Sequence, residues 1–123
     1  MGYAIRPATR GDAGTIHRFV CELAEFEKAL DQVETSEEGL AEAIFGENSV
    51  TGGLIAEVDG EPVGFAVYYF SFSTWQGRNG IYLEDLYVTP DHRGGGLGRA
   101  LMKAVAEIGV ARNCGRMEWS VLD

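Results

Sequence analysis

From Leu86 to Met102 the chain reads L-Y-V-T-P-D-H-R-G-G-G-L-G-R-A-L-M. This stretch dictates a local architecture. A β-rich run from Ile81 to Val88 stops at Pro90, four glycines fall between Gly94 and Gly98, and helical spacing starts at Leu97. Backbone without side chains at the mouth of a helix leaves unpaired N–H groups at the positive end of the helix dipole, which makes an anion site. Spacing rules out two familiar phosphate loops. A Walker A loop needs G-x-x-x-x-G-K-[ST], but Gly98 is followed by Arg99 and Ala100, so the phosphate lysine and the magnesium hydroxyl are both missing. A dinucleotide fingerprint begun at Gly94 and Gly96 would need glycine where Arg99 stands. What remains is Arg93-x-x-Gly96-x-Gly98, directly after V-x-P and directly before an amphipathic helix. Three of the glycines exceed what a strand-to-helix turn needs, and each raises the entropic cost of folding, so the loop is read as a ligand site.

The 123 residues suffice for one domain with one core. The two cysteines, Cys21 and Cys114, have neither C-x-x-C spacing nor a disulfide framework, so two reduced cytosolic thiols are expected. No apolar run approaches the roughly 20 residues that span a membrane, and the N-terminus lacks a signal-peptide core. Net charge is −9. Such a field repels nucleic acid and anionic membranes and attracts small cations, although acidity suits plain solubility equally well. Around the glycine loop the balance reverses: Arg93, Arg99 and Lys103 lie within about three turns of it, with Asp91 the only nearby acid.

Taken in order, Tyr3 to Arg6 predicts a short strand ending at Pro7. Thr9 with Asp12 is a capping-box signal, and Ile16, Phe19, Val20, Leu23, Phe26 and Leu30 keep helical spacing. His17 is read as a surface or boundary histidine and Cys21 as a small interior residue. Thr35 with Glu38 restarts a shorter acidic helix closed by Gly46 at its C′ position. Thr51 to Gly53 reads as loop, Leu54 to Val58 as strand, Asp59-Gly60 as a tight hairpin turn and Pro62 to Phe72 as the returning strand. Ser73 to Gly80 is a polar connection before the strand Ile81 to Val88. A helix follows from Leu97 to about Arg112, with Leu97, Leu101, Val105 and Ile108 as its stripe and Gly109 weakening it by roughly 1 kcal/mol. Met117 to Leu122 is the last strand. The order is β-α-α-β-β-β-α-β, and the final strand–helix–strand unit favours parallel pairing through a right-handed crossover.

Strict alternation along Ile81 to Val88 puts Tyr82, Glu84, Leu86 and Val88 on one face and Ile81, Leu83, Asp85 and Tyr87 on the other. Each face carries one acid among apolar residues. A carboxylate in such surroundings has a raised pKa, which a base working near neutrality requires. Glu84 is the leading candidate and Asp85 the second.

The loop pattern resembles the acetyl-CoA loop of the GCN5-related N-acetyltransferases, [R/Q]-x-x-G-x-[G/A]. I-R-P-A-T at 5–9, L-A-E-F-E at 23–27, G-F-A-V-Y-Y-F at 64–70, Trp75 with Gly77, and Y-L-E-D-L-Y-V at 82–88 are similar to the diamine (spermidine/spermine) acetyltransferase branch. The resemblance runs from Ile5 to the end of the chain. It implies an α/β (α+β) acyl-CoA N-acyltransferase fold with a mixed central sheet, and a single N-acetyltransferase domain over residues 1–123. It implies that Leu86, Tyr87 and Val88 line the pantetheine arm of acetyl-CoA, that Arg93, Gly94, Gly95, Gly96, Leu97, Gly98 and Arg99 wrap its pyrophosphate, and that Glu27 and Glu84 hold a small cationic amine. Trp75, an aromatic in a polar loop, is a candidate for a cation–π contact with that amine.

The reaction so implied is direct acetyl transfer in a ternary complex to a polyamine or a lysine-like amino acid. Glu84, directly or through water, accepts the ammonium proton, and a backbone N–H of the strand stabilises the oxyanion. Neither a metal nor a covalent enzyme intermediate is called for. A cytoplasmic homodimer is expected, again by resemblance.

Two departures stand out. Gly95 replaces a larger side chain, and the family's domain continues past the last strand into a helix whose tyrosine protonates the leaving thiolate, so the 123 residues are expected to be C-terminally incomplete. Cofactor binding is therefore the firmer expectation for these residues, and turnover the weaker one. The rival readings are a non-catalytic CoA-binding or dimerising module on the same fold, and a protein N-acetyltransferase.

Overall fold

The computed structural model describes residues 2–120. Its elements follow the expected order: β1 (Ala4–Pro7), α1 (Ala13–Phe26), α2 (Glu37–Phe45), β2 (Thr51–Val58), β3 (Glu61–Ser73), β4 (Arg78–Val88), α3 (Leu97–Ala111) and β5 (Met117–Trp119). One mixed sheet runs β1-β2-β3-β4-β5; neighbours up to β4 are antiparallel, and β4 pairs with β5 in parallel. The expected extension of the last strand to Leu122 reaches beyond the described residues. Among those described, no helix is long and apolar enough to cross a membrane.

Two apolar layers hold the sheet. On one face Leu54, Ala56, Ala66, Ile81, Leu83 and Val88 meet Leu97, Leu101 and Val105 of α3. On the other, Ile55, Phe65, Val67 and Tyr87 meet Ile16 and Phe19 of α1 and Ile44 of α2. Phe19 sits at the centre of the second layer, its ring centroid 5.8 Å from Phe65 and 5.7 Å from Tyr87.

Several boundaries differ from the sequence reading, each for a local reason. Thr51 to Gly53 belongs to β2, where bare Gly52 leaves room for the phenol of Tyr68 on the neighbouring strand. The polar connection after β3 is only a turn over Thr74 to Gly77, with Gly77 at φ +65°, and the strands run up to it on both sides. The cap of α2 is Ser36 rather than Thr35: its hydroxyl accepts the N–H of Gly39 at 3.0 Å. Gly46 ends α2 in extended backbone, not the left-handed form expected of a C′ glycine.

Gly109 has a purpose that helix propensity hides. A Cβ there would lie 2.9 Å from Cγ2 of Ile81, a side chain buried at the α3–sheet contact. Replacing Gly109 with Ala gains about 1 kcal/mol of helix propensity but overpacks the core by roughly 1–3 kcal/mol. We expect Gly109→Ala to lower stability by about 1 kcal/mol in urea unfolding. A raised midpoint would contradict this close packing.

The expected capping box at Thr9 is present and belongs to a larger ion cluster. Arg6 donates from Nη1 and Nη2 to the two carboxylate oxygens of Asp12 at 2.8 and 2.9 Å, and from Nε to Glu57 at 3.1 Å. Asp12 also accepts the N–H of Thr9 at 2.7 Å. The Arg6 guanidinium, outweighing the cost of burial, holds the Asp12 carboxyl down at about 2. A depressed carboxylate pKa adds stability above the unfolded value of 3.8, and that stability is lost as pH falls through 2. Asp12→Ala should cost about 2–3 kcal/mol at pH 7, with the deficit shrinking below about pH 4, as denaturant melts across pH will read.

Candidate active site

The site is organised by an irregularity in β4. Val67 of β3 pairs with Asp85 and Tyr68 pairs with Leu83, so Glu84 is an extra residue with no partner on β3. This bulge overturns the strict alternation expected for the strand. Ile81 and Leu83 share the α3 face with Leu86 and Val88, whereas Tyr87 packs with α1. Two positions before Tyr87, Asp85 follows it to the α1 face, and Glu84 is left exposed at the bend.

The same strand loses its other neighbour at this point. Pairing with β5 covers Ile81 to Leu83, ending at Trp119, and beyond it the edge of β4 from Glu84 to Val88 faces no strand among the described residues. A cleft of about 420 Å³ opens there, walled by Leu23 and Glu27 of α1, Leu86 and Met102 on the α3 side, and Trp119 and Ser120 after the gap. Tyr82, Leu83, Glu84 and Asp85 complete its lining, so its charged side chains are three carboxylates.

Asp85 is the acid that this environment changes most. Burial, then the nearby charges of Glu84 and Glu27, pushes its pKa up from 3.8 to about 6. Glu27 owes its place to the way α1 ends. Lys28 adopts a left-handed conformation (φ 60°), and the N–H groups of Ala29 and Lys28 return to the carbonyls of Ala24 at 2.7 Å and Glu25 at 3.0 Å. This Schellman stop leaves Glu27 as the C-cap beside the cleft. It also explains why α1 ends at Phe26, four residues short of the expected Leu30.

The glycine loop ends with its donors free. Gly94 and Gly96 have φ +86°, Gly96 caps α3, and Ala100 donates to the Gly96 carbonyl at 2.9 Å. Among the described residues, the N–H groups from Gly94 to Arg99 have no protein partner. A Cβ at Gly94, Gly96 or Gly98 would meet nothing within 4 Å. Open space over unpaired donors at a helix N-terminus, continuous with the free edge at Leu86, Tyr87 and Val88, fits the pyrophosphate and pantetheine arm of acetyl-CoA. Arg99 and Lys103 stand exposed on the adjoining turns of α3. Arg93 is turned the other way: its Nε donates to the Val88 carbonyl at 2.8 Å, and its guanidinium lies over the rings of Phe26 and Tyr87.

The structure thus brings Glu27, Glu84 and Asp85 into one cleft and sets Leu86 to Val88 between it and the loop. It does not bring Trp75 there. That side chain is 98% exposed in the turn before Arg78, more than about 20 Å along the strand from Asp85. Sequence reasoning missed Leu23, Met102, Trp119 and Ser120. Leu23, Met102 and Trp119 show only apolar character on separate elements, which is what core positions show too, and Ser120 shows no signal. His92 serves turn geometry, with Nδ1 3.1 Å from the Thr89 hydroxyl. His17 lies within α1 and is half-buried as expected of a boundary histidine, its Nε2 3.2 Å from the Thr35 carbonyl, and Cys21 is half-buried rather than interior.

The sequence and the fold both have counterparts among known proteins. The profile of the Acetyltransferase (GNAT) family matches residues 16–123. A thialysine N-epsilon-acetyltransferase from Bos taurus is 49% identical over 97% of this chain and 74% of its own length. Spermidine/spermine N(1)-acetyltransferase-like protein 1 from Homo sapiens is 37% identical over 98% of this chain and 18% of its own length. Among solved structures, an aminoglycoside acetyltransferase from an uncultured soil metagenomic sample superimposes with a TM-score of 0.83 at 13% identity, covering 98% of this chain and 78% of that one. It shares the fold alone. The profile match and the bovine relative, taken with the fold, show that this chain belongs to the acetyltransferase (GNAT) family.

Proposed function

We propose that the protein transfers an acetyl group from acetyl-CoA to a primary amine of a small cation, a polyamine or a lysine-like amino acid. The observation that carries this reading is Asp85: a carboxylate with its pKa near 6, in a cleft whose charged lining is acidic, beside the unpaired edge of β4. Acetyl-CoA, when bound, supplies the acetyl group as a thioester. Gly94 to Arg99 would hold its pyrophosphate through backbone N–H groups, and the edge of β4 from Leu86 to Val88 would pair with its pantetheine arm.

The chain's own residues do the rest. Glu27 and Glu84 draw in an alkylammonium group and orient it. Such a group, with a pKa of about 10 like that of lysine, cannot attack until it loses a proton. Asp85 takes that proton, because its raised pKa makes it a better base than an ordinary aspartate. Glu84 was the leading candidate for this task on sequence, but its exposure at the bulge suits it to attraction instead. A backbone N–H on the free edge of β4 is the group available to polarise the acyl carbonyl. The names of the bovine and human relatives, which specify thialysine and spermidine or spermine, support the same class of amine.

Mass spectrometry of products after incubation with acetyl-CoA and a panel of thialysine, lysine, spermidine and acidic control amino acids tests the proposal. Acetylated basic amines and unmodified acidic controls are expected. Absence of any acetylated product from a chain that binds acetyl-CoA would favour the non-catalytic alternative. The resemblance also leads us to propose a homodimer, which sedimentation velocity measures directly.

A further inference from the structure

Arg93 stands immediately before the glycine loop, yet its side chain does not reach over the loop. Its Nε donates to the carbonyl of Val88 at 2.8 Å. The guanidinium carbon lies 4.9 Å from the centroid of the Phe26 ring and 5.4 Å from that of Tyr87. Phe26 is the last residue of α1, is 67% exposed, and has no part in either core layer. The Arg93 guanidinium thus packs against a ring that neither core layer holds. The next residue, Glu27, is a carboxylate of the cleft. Tyr87 closes the link from the other side, its hydroxyl donating to Glu22 of α1 at 2.8 Å. The residue after Arg93 is Gly94 at φ +86°, a point where the loop can turn without moving the guanidinium.

We infer that Arg93 is a positioning residue rather than a phosphate ligand, and that it couples the cofactor loop to the amine-binding carboxylate Glu27. Loop occupancy holds Arg93 in this seat against Phe26. This braces the final turn of α1 and sets Glu27 against the cleft. The coupling is reciprocal: whatever loop occupancy does for amine affinity, amine does for cofactor affinity. The inference rests on the acetyltransferase reading, because it needs the loop and the cleft to bind two different ligands.

Calorimetric titration of spermidine with and without saturating CoA tests it, in the wild-type protein, Arg93→Lys and Phe26→Ala. Lysine keeps the charge but loses the flat guanidinium and the Nε bond. Phe26 is exposed, so its truncation leaves the core intact. In the wild type, CoA should tighten spermidine binding by about fivefold or more. In both variants that coupling should fall below about twofold, while affinity for CoA alone changes by less than about threefold. A tenfold or greater loss of CoA affinity in Arg93→Lys would overturn the inference, since it would make Arg93 a phosphate ligand. Coupling that is absent from a CoA-binding wild type, or that persists in both variants, would overturn it too. A wild-type chain that binds no CoA at all would instead overturn the acetyltransferase reading.

Discussion

Asp85→Asn should lower kcat/KM by about 10²- to 10⁴-fold while making the fold more stable. The first effect follows from removing the base. In the wild type, kcat/KM should rise with pH through about 6 as the Asp85 carboxyl ionises, and this acidic limb should vanish in the variant. The second effect follows from the sign of the shift. With its folded pKa raised above 3.8, Asp85 binds more protons in the native state than in the unfolded chain between about pH 4 and 6. Its ionisation therefore removes stability as pH rises through that window, and the loss is complete above about 6. Asparagine, which never ionises, avoids it. We expect a gain on the order of 1–3 kcal/mol at pH 7.5 that disappears below about pH 4. Lower activity with higher stability is the signature of a group held in a costly state for catalysis. A Glu84→Gln variant with the larger activity loss, and an unaltered acidic limb in Asp85→Asn, would return the base role to Glu84.

Gly98→Asp should abolish tight acetyl-CoA binding without harming the fold. Position 98 lies in the first turn of α3, has no neighbour within 4 Å of an added Cβ, and lies outside the left-handed region. An acid in the first turn of a helix is mildly stabilising, by about 0.3–1 kcal/mol. A carboxylate there would occupy the space over the free N–H groups and repel a pyrophosphate. Losing one or two charge-assisted hydrogen bonds at roughly 1.5–3 kcal/mol each corresponds to about a 10- to 10⁴-fold drop in affinity. Equal affinity in Gly98→Asp and the wild type, read by titration with thermal melts as the folding control, would place the cofactor elsewhere.

The element order was legible because each unit announces itself locally. The Asp59-Gly60 turn, the apolar runs of β2 and β3, and the stripe of α3 are all short-range signals. The loop was legible for the same reason: four glycines at a helix mouth are a purely local statement. The geometry of the acids was not. Apolar residues flank Glu84-Asp85 on both sides, so a strand with the bulge and one without it have the same composition. Only pairing with Val67 and Tyr68 reveals that the phase changes, moving Asp85 to the α1 face and Glu84 into solvent. Arg93 shows a related limit. Its place in the loop pattern says nothing of its side chain, which lies against Phe26, a residue 67 positions earlier in the sequence. Trp75 was chosen for its type in a polar loop, and type carries no information on distance from the cleft.

The central claim is that one open cradle on this chain, the glycine loop with the free edge of β4, binds acetyl-CoA next to an acidic amine cleft. Titration of acetyl-CoA into the wild-type protein at low and high salt tests it most directly. Saturable binding of one cofactor per chain is expected, weakening as salt rises because the ligand is polyanionic and its site carries exposed Arg99 and Lys103. No saturable binding at either salt concentration would contradict the account.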